Sequence, residues 1–157
     1  MLGIRNNIRR DRKLIYKGWD LDFKRFYIYL KDKYKITKAI IFIGKIKGME
    51  KLYQYLQGCG YELVFKPTIR YRKKGGFTYK GNVDVELSVY VIRNLEKYDK
   101  AIIVTGDGDF LCLLDVLKEE GKLEKILIPN RYAYSSLLFK YREKFDFISD
   151  KKNRLEK

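Results

Sequence analysis

A chain of 157 residues, 46% of them hydrophobic, can form one globular domain, and it contains no run of the roughly 18 to 20 apolar residues that a membrane span needs. It has no histidine, which excludes Ser-His-Asp catalysis, imidazole acid–base chemistry and zinc sites that depend on histidine. The net charge of +15 favours a polyanionic partner, although a solvated lysine-rich surface would give the same composition.

The first half of the chain alternates helical and strand patterns. Apolar spacing predicts a helix that ends at about Tyr34, and continuous apolar runs predict buried strands at 39–43 and 61–65. A second helical pattern at 49–57 lies between these strands. Residues 66–80, with six basic residues and no acidic residue, follow as a predicted basic hairpin or extended loop.

The second half of the chain repeats this alternation. Its predicted helices are 83–95, 109–120 and 133–144, and its predicted strands are 101–104, 124–128 and 145–148. The alternation predicts an α/β fold with a mostly parallel sheet that is flanked by helices. We expect residues 1–150 to form a single domain and residues 151–157 to form a charged tail that frays.

The cysteines and the N-terminus bear on the compartment. Cys59 and Cys112 have neither the spacing of metal ligands nor a disulfide framework, so they are interpreted as packing thiols in a reducing compartment. The first residues lack the apolar segment of a signal peptide. We therefore expect a soluble, cytoplasmic protein.

Charge is unevenly distributed along the chain. Basic residues exceed acidic ones by twelve to four over 1–40, by six to none over 66–80 and by eight to four over 131–157. Residues 81–130 reverse the balance, with six basic and ten acidic residues. A basic body around one acidic segment fits a polyanion that is held at the periphery and cut at a carboxylate centre.

The strongest chemical signal is the sequence Thr-Gly-Asp-Gly-Asp-Phe at 105–110. Asp107 and Asp109 directly follow a predicted buried strand, and carboxylates beside a hydrophobic core need a positive partner. Mg²⁺ and Mn²⁺ prefer oxygen ligands, so a divalent cation is the leading candidate. Gly106 and Gly108 add little side-chain bulk and would let the backbone approach a ligand.

Other interpretations of this loop compete with a metal site. Asp109 could cap the helix that follows, and Asp107 could form an Asx turn. A dinucleotide-binding loop is disfavoured, because Leu111 replaces the third glycine of that fingerprint and two carboxylates would face the pyrophosphate. Asp84 lies in the first turn of the helix 83–95, where the helix dipole stabilises it, and it could also face the same crevice.

Two acidic motifs follow each other at a spacing of about twenty residues. They are Lys-Gly-Asn-Val-Asp-Val-Glu-Leu at 80–87 and Ile-Val-Thr-Gly-Asp-Gly-Asp-Phe at 103–110. In this order they resemble the NYN domain family, PIN-like ribonucleases of the limkain and LabA type, and the likeness continues through Pro129, Asn130 and residues 135–138. The resemblance implies a Rossmann-like parallel sheet, a site for Mg²⁺ or Mn²⁺, and single-stranded or structured RNA as the substrate.

The start of the chain departs from the family pattern. Members typically begin with a central strand that ends in Asp-x-x-Asn, whereas this chain opens at Met1-Leu2-Gly3-Ile4-Arg5-Asn6, just downstream of that motif. The first strand and its aspartate are therefore expected to be absent, and Asp11 does not replace the aspartate because no apolar strand precedes it. A true start further upstream is favoured over a degenerate, weakly catalytic member, and both interpretations stay open.

With this resemblance, the chain is interpreted as a metal-dependent ribonuclease. Asp84, Asp107 and Asp109 would be its catalytic residues and would hold one or two Mg²⁺ or Mn²⁺ ions. The expected substrate-binding residues are bases on the hairpin and hydroxyl groups near the carboxylates, namely Arg70, Arg72, Lys73, Lys74, Lys80, Thr105, Ser135 and Ser136.

A binding module is the alternative to an enzyme. Such a module would keep the fold and bind RNA or another partner with an incomplete metal site. The hairpin could equally be a solvated ribbon, and the three hydroxyl groups could be ordinary loop and cap residues. RNA is the expected partner, a membrane is not, and self-association is left open.

Overall fold

The computed structural model describes residues 2–3, 18–73, 76–80 and 83–157, with residues 2–3, 70–73 and 76–80 described by their backbone. The strands are β1 (Leu2–Gly3), β2 (Ile40–Lys45), β3 (Glu62–Pro67), β4 (Ile69–Lys73), β5 (Gly76–Lys80), β6 (Ala101–Val104), β7 (Leu123–Ile128) and β8 (Phe145–Phe147). The α-helices are α1 (Phe23–Tyr34), α2 (Glu50–Gly58), α3 (Asp84–Arg93), α4 (Leu111–Glu119) and α5 (Lys152–Leu155). Short 3₁₀ helices cover Leu95–Lys97, Gly108–Phe110, Ser136–Lys144 and Ile148–Lys151.

Six strands form one sheet in the order β3-β2-β1-β6-β7-β8, and every neighbouring pair is parallel. The chain runs outward from β1 to β3 on one side and then from β6 to β8 on the other. The strand order therefore reverses between β1 and β6. In open sheets of this kind, ligands bind outside the carboxyl ends of the strands at such a reversal.

Two hydrophobic cores lie on opposite faces of the sheet because side chains alternate along each strand. In β2, Ile41 and Ile43 belong to a core that includes Phe26 and Leu56 of α1 and α2. Phe42 of the same strand belongs to the other core, with side chains of α3 and α4. The predicted α/β fold, with a parallel sheet flanked by helices, is confirmed.

The predicted basic hairpin is also confirmed. Strands β4 and β5 form a separate antiparallel pair, in which Lys73 is the partner of Gly76. Gly76 is the first residue of β5. Lys66 and Pro67, assigned to the hairpin from sequence, belong to β3 instead.

The expectation that a central strand is absent is wrong for the described residues. Leu2 pairs with Ile41 of β2 and with Val104 of β6, so β1 occupies the centre of the sheet. It is two residues long and neither residue carries a carboxylate. Strand β1 therefore occupies the expected central position, but it does not supply the expected aspartate. Asp11 lies outside the described residues.

The C-terminal residues pack on the body of the protein, against the expectation that they fray. Leu155 of α5 is fully buried, and its carbonyl accepts a hydrogen bond of 2.8 Å from the backbone N–H of Asp22. The N–H of Lys157 donates to the carbonyl of Asp20 at 3.0 Å. A single apolar residue in a charged segment was too weak a signal to predict this docking. The assignment of residues 1–150 to one domain stays a prediction.

The predicted helix at 133–144 is shorter and tighter than expected. Residues Ser136–Lys144 form a 3₁₀ segment with a kink at Tyr141, and Ser135 caps it. Its inward residues, Leu138 and Tyr141, are three positions apart, which matches the three residues per turn of a 3₁₀ helix. Across the described part of the chain, no helix has both the length and the apolar character that crossing a membrane requires.

Candidate active site

Asp107 and Asp109 lie in a tight loop at the carboxyl end of β6. The side chain of Thr105 is buried, and its Oγ1 accepts a hydrogen bond of 3.0 Å from the N–H of Asp107. Asp107 Oδ1 in turn accepts one of 3.1 Å from the N–H of Asp109, which caps the 3₁₀ helix Gly108–Phe110. Each side chain thus fixes the backbone two residues further on. Asp107 thus accepts the local backbone hydrogen bond expected of an Asx turn, and it also belongs to the carboxylate cluster.

Gly106 and Gly108 make room for a neighbouring segment, and neither has a positive φ. A Cβ at Gly108 would lie 2.4 Å from Ser135 Oγ and 2.9 Å from Leu137 Cδ1. The carbonyl of Gly106 accepts a hydrogen bond of 2.8 Å from the N–H of Ser135. The glycines therefore allow the segment 133–137 to lie directly against the carboxylate loop.

Asp84 reaches this loop from α3, of which it is the first residue. Leu87 and Val91 on the same helix are buried in the core on this face of the sheet, which fixes the helix against α4 and the 3₁₀ helix Gly108–Phe110. A carboxylate in the first turn is also favoured by the positive end of the helix dipole. Packing and electrostatics thus hold Asp84 at the crevice.

The three predicted carboxylates converge. Asp84, Asp107 and Asp109 each offer one oxygen, and these oxygens all lie within 4.8 Å of one another. Asp84 is the most deeply placed, Asp107 is half-buried and Asp109 is exposed. The cluster is therefore open to solvent on the side of Asp109 and enclosed on the side of Asp84.

This donor set fits a hard divalent cation. Three carboxylates so close together repel one another unless a positive charge lies among them. Oxygen ligands alone, without thiol or imidazole groups, suit Mg²⁺ or Mn²⁺ better than zinc. The exposed side of the cluster leaves positions for water or for a phosphate oxygen.

The hydroxyl groups predicted to contact substrate have local structural roles. Thr105 supports the backbone of Asp107, and Ser135 Oγ accepts a hydrogen bond of 3.3 Å from the N–H of Leu137. Ser136 is the first residue of the 3₁₀ segment. Contact of any of these groups with a substrate stays a prediction.

The predicted basic contacts lie on the hairpin. Its register makes Arg70 the cross-strand partner of Tyr79, and Arg72 the partner of Phe77. Lys80 ends β5 four positions before Asp84. Lys73 ends β4, and Lys74 lies outside the described residues. Their contact with RNA stays a prediction.

Two features of the site were missed at the level of sequence. Lys66 Nζ of β3 forms an ion pair of 2.6 Å with Glu86 Oε1, two residues after Asp84. The other oxygen of Glu86 is buried and accepts no hydrogen bond from the described residues. Asn130 is buried at the end of β7, and its Oδ1 accepts a hydrogen bond of 3.0 Å from the N–H of Tyr132. Both Glu86 and Asn130 lie inside the sequence motifs described above, so the residues were visible in the sequence although their contacts were not.

A charged pair anchors the 3₁₀ segment Ser136–Lys144 to α4. Asp115 accepts a short hydrogen bond from the hydroxyl of Tyr141 and pairs with Lys140 Nζ at 2.5 Å. The hydrogen bonds from Lys140 and then Tyr141 hold the pKa of Asp115 below its ordinary value. Burial, and then the bond to Asp115, raises the pKa of Tyr141. The segment beside the carboxylate loop is thus fixed from both ends.

Comparison with known proteins assigns this chain to a family. Residues 6–149, nearly the whole chain, match the model of the NYN domain. None of the curated proteins compared with the chain matches it. Among solved structures, the chain is similar to a protein of unknown function from Vibrio parahaemolyticus, with a TM-score of 0.71 and 24% identity. That match covers 94% of this chain and 90% of the other, and it shows that the two proteins share an α/β fold.

Proposed function

Because the chain belongs to the NYN domain family, whose members are generally nucleases, we propose that it hydrolyses RNA phosphodiester bonds at Asp84, Asp107 and Asp109. The observation that carries this proposal is the convergence of three carboxylate oxygens within 4.8 Å of one another. They lie where the strand order reverses, which is the usual ligand position in open α/β sheets.

The three aspartates would hold Mg²⁺ or Mn²⁺, since nucleases of this family generally use divalent metals. When bound, such a cation neutralises charge on the scissile phosphate and lowers the pKa of a water molecule. Asp84 and Asp107 are fixed by α3 and by the capped loop, so little reorganisation is needed. Asp109, on the exposed side, would face the incoming phosphate.

Charge also supports a polyanionic substrate. The chain carries a net charge of +15, yet residues 81–130 are acidic overall. Basic residues of β4 and β5 would bind phosphate groups away from the cut, and their aromatic partners would stack on bases. RNA is the proposed partner because the family's nucleases act on it.

A cleavage assay tests the proposal. The wild-type protein should cut a labelled RNA with Mn²⁺ or Mg²⁺, and EDTA should abolish the reaction. Asp107→Asn should lower the rate roughly 100-fold or more, because it removes charge from the cluster. Asp99→Asn is the matched control, since Asp99 is an exposed aspartate just before the other end of β6. Equal rates for Asp107→Asn and the wild type would rule out this site.

Metal binding can be measured separately from cleavage. A cation that binds only the folded protein raises the melting temperature, so Mn²⁺ should stabilise the wild type more than Asp107→Asn. RNA binding with Mn²⁺-dependent stabilisation but without cleavage would favour the non-catalytic RNA-binding module. That alternative has one specific observation in its favour, because β1 brings no carboxylate to the cluster.

A further inference from the structure

Helix α3 carries apolar side chains on two faces, one buried and one exposed. Leu87 and Val91 are buried in the core beneath the helix. On the outer side, Val85 is 66% exposed, Val89 is 44% exposed and Ile92 is 43% exposed. Residues three and four apart on a helix are neighbours, so these three side chains form one continuous strip, the α3 stripe. A helix that faced only solvent would carry polar residues there, and the stripe therefore indicates a surface that another chain covers.

The α3 stripe cannot be buried by the protein itself. Because Leu87 and Val91 fill the inward positions, a rotation of the helix that buried the stripe would expose them instead. Successive side chains are about 100° apart around a helix, so Asp84 is about 80–140° away from the three stripe residues. Asp84 belongs to the carboxylate cluster. A partner that covers the stripe therefore approaches a different face of the helix from the one that holds the cluster.

Two opposite charges lie along one side of the α3 stripe. Glu86 follows Val85 at the start of the helix, and Arg93 follows Ile92 at its end. They are seven residues apart, which is about two turns, so both side chains lie on the same flank. Lys66 Nζ of β3 fixes Glu86 through an ion pair of 2.6 Å. One flank is thus acidic near the start of the helix and basic near its end.

This pattern is complementary to a second copy of itself. In a symmetric pair, residue i of one copy contacts residue j of the other, and j contacts i. If two α3 helices pack antiparallel with Val89 near the two-fold axis, Val85 of one copy lies against Ile92 of the other. The same arrangement places Glu86 beside Arg93 of the second copy, at both ends. A parallel pair would instead bring the two Arg93 residues to one end, where they repel.

The charge around α3 also favours a second copy over a polyanion. Residues 84–96 contain three acidic residues and one basic residue. A nucleic acid or an anionic membrane is repelled by such a surface. In a chain with a net charge of +15, it is also a surface through which two copies can approach with little local repulsion.

We propose that α3 is the contact surface of a symmetric homodimer, in which the stripes of two antiparallel helices cover each other and Glu86 pairs with Arg93 of the second copy. Three apolar side chains and two charges from each copy make a small interface, so the dimer is a weak one. It should be populated at protein concentrations of about 0.1 mM and above. This inference goes beyond the proposed function and does not depend on it.

Sedimentation equilibrium from about 10 µM to 1 mM, with EDTA and without RNA, tests the dimer. The average mass of the wild type should rise with concentration from 18.8 kDa towards twice that mass. Val89→Lys should weaken association at least about 10-fold, because it places two like charges at the two-fold axis. Ile28→Lys is the matched control, since Ile28 is an apolar residue of α1 that is 47% exposed and makes the same change in charge. Thermal unfolding checks that both variants fold.

A mixing experiment tests the antiparallel pairing of charges. Arg93→Glu brings two acidic residues together at each end of its own dimer, and Glu86→Lys brings two basic residues together, so each variant alone should associate less than the wild type. An equal mixture of the two should recover association, because every contact between unlike copies then joins opposite charges. A merely structural role of either residue would not be reversed by mixing two purified, folded proteins.

The outcomes are independent of the cleavage assay. Association that Val89→Lys weakens and Ile28→Lys does not supports the α3 dimer, whether or not the protein cuts RNA. A wild type that stays monomeric up to 1 mM overturns it, including the case in which an unrelated protein is found to bind the stripe. Association that is equal in the wild type and Val89→Lys also overturns it, because the copies then meet through another surface. A mixture that associates no better than its two components overturns the pairing of Glu86 with Arg93.

Discussion

Gly108 illustrates how a single residue determines the geometry of the cluster. The absence of a side chain allows Ser135 and Leu137 to approach the loop that carries Asp107 and Asp109. A methyl group there would force the side chains of Ser135 and Leu137 to move, and the Ser135 hydroxyl would lose its hydrogen bond from the N–H of Leu137. Gly58 differs, because no atom lies within 4 Å of where its Cβ would be.

We therefore expect Gly108→Ala and Gly58→Ala to have opposite effects. Gly108→Ala should lower the free energy of unfolding by about 1–3 kcal/mol, the usual cost of overpacking, and should weaken Mn²⁺ binding. Gly58→Ala, in α2, should be neutral or raise that free energy by up to about 1 kcal/mol. Denaturant unfolding and Mn²⁺ titration measure both effects. Equal stability of the two variants would contradict the packing role of Gly108.

Among the elements, β8 is joined to α1 by Asp146. Its carboxylate accepts hydrogen bonds from Tyr29 at 2.8 Å, from Tyr34 at 2.5 Å and from Lys33 at 2.6 Å. Lys151 adds an ion pair of 3.2 Å. Burial opposes ionisation, but these donors outweigh it and hold the pKa of Asp146 well below its usual range. The edge strand β8 is thus held by these charged contacts as well as by its backbone pairing with β7.

This lowered pKa predicts a pH dependence of stability. A carboxyl group whose pKa is lower in the folded protein stabilises it above the unfolded pKa of about 4, and the stabilisation is lost as the pH falls below that value. Asp146→Asn should lower the free energy of unfolding by about 2 kcal/mol at neutral pH. The difference from the wild type should shrink below about pH 4.

Thermal unfolding over a pH series measures this effect. Asp150→Asn is the control, because Asp150 pairs with Arg131 at an exposed site and its loss should change the free energy by less than about 1 kcal/mol. A constant difference between Asp146→Asn and the wild type at every pH would contradict the assignment to the ionised carboxylate.

For the molecule as a whole, the net charge of +15 predicts that RNA binding weakens as salt rises. Each phosphate contact to a single strand contributes about 0.7 to the slope of log K against log salt. The double variant Arg70→Gln, Arg72→Gln should lower that slope by about 1.4 if both hairpin residues bind phosphates. Anisotropy titrations at several salt concentrations measure it. A flat wild-type profile would exclude a polyanion role for the basic surface.

Periodicity was sufficient to predict the layers of this fold. The run 101–104 became β6 with the expected bounds, and the alternation of strands and helices gave the parallel sheet. The acidic residues of the cluster were also predictable, because Asp107 follows a buried strand and Asp84 begins an amphipathic helix. Side chains at such positions meet at one edge of a parallel sheet.

Long-range packing was not predictable from local patterns. Nothing near Gly108 in the sequence indicates that Ser135 lies against it. Likewise, nothing near Leu155 indicates that its carbonyl binds the N–H of Asp22 at the start of α1. Strand β1 was missed because two residues give no periodicity. Lys66 of β3 and Glu86 of α3 are twenty residues apart, and they meet only when the helix packs on the folded sheet. These features require the tertiary structure.

The docking of α5 beside the start of α1 affects the order in which the protein can fold. Arg25 donates to the carbonyl of Glu156 across 131 residues of sequence, and Leu21 forms a bridge with Glu156. Contacts at such separation carry a high loop-closure cost and slow folding. During synthesis, the part of α1 that contacts residues 155–156 therefore stays exposed to solvent until these residues have left the ribosome.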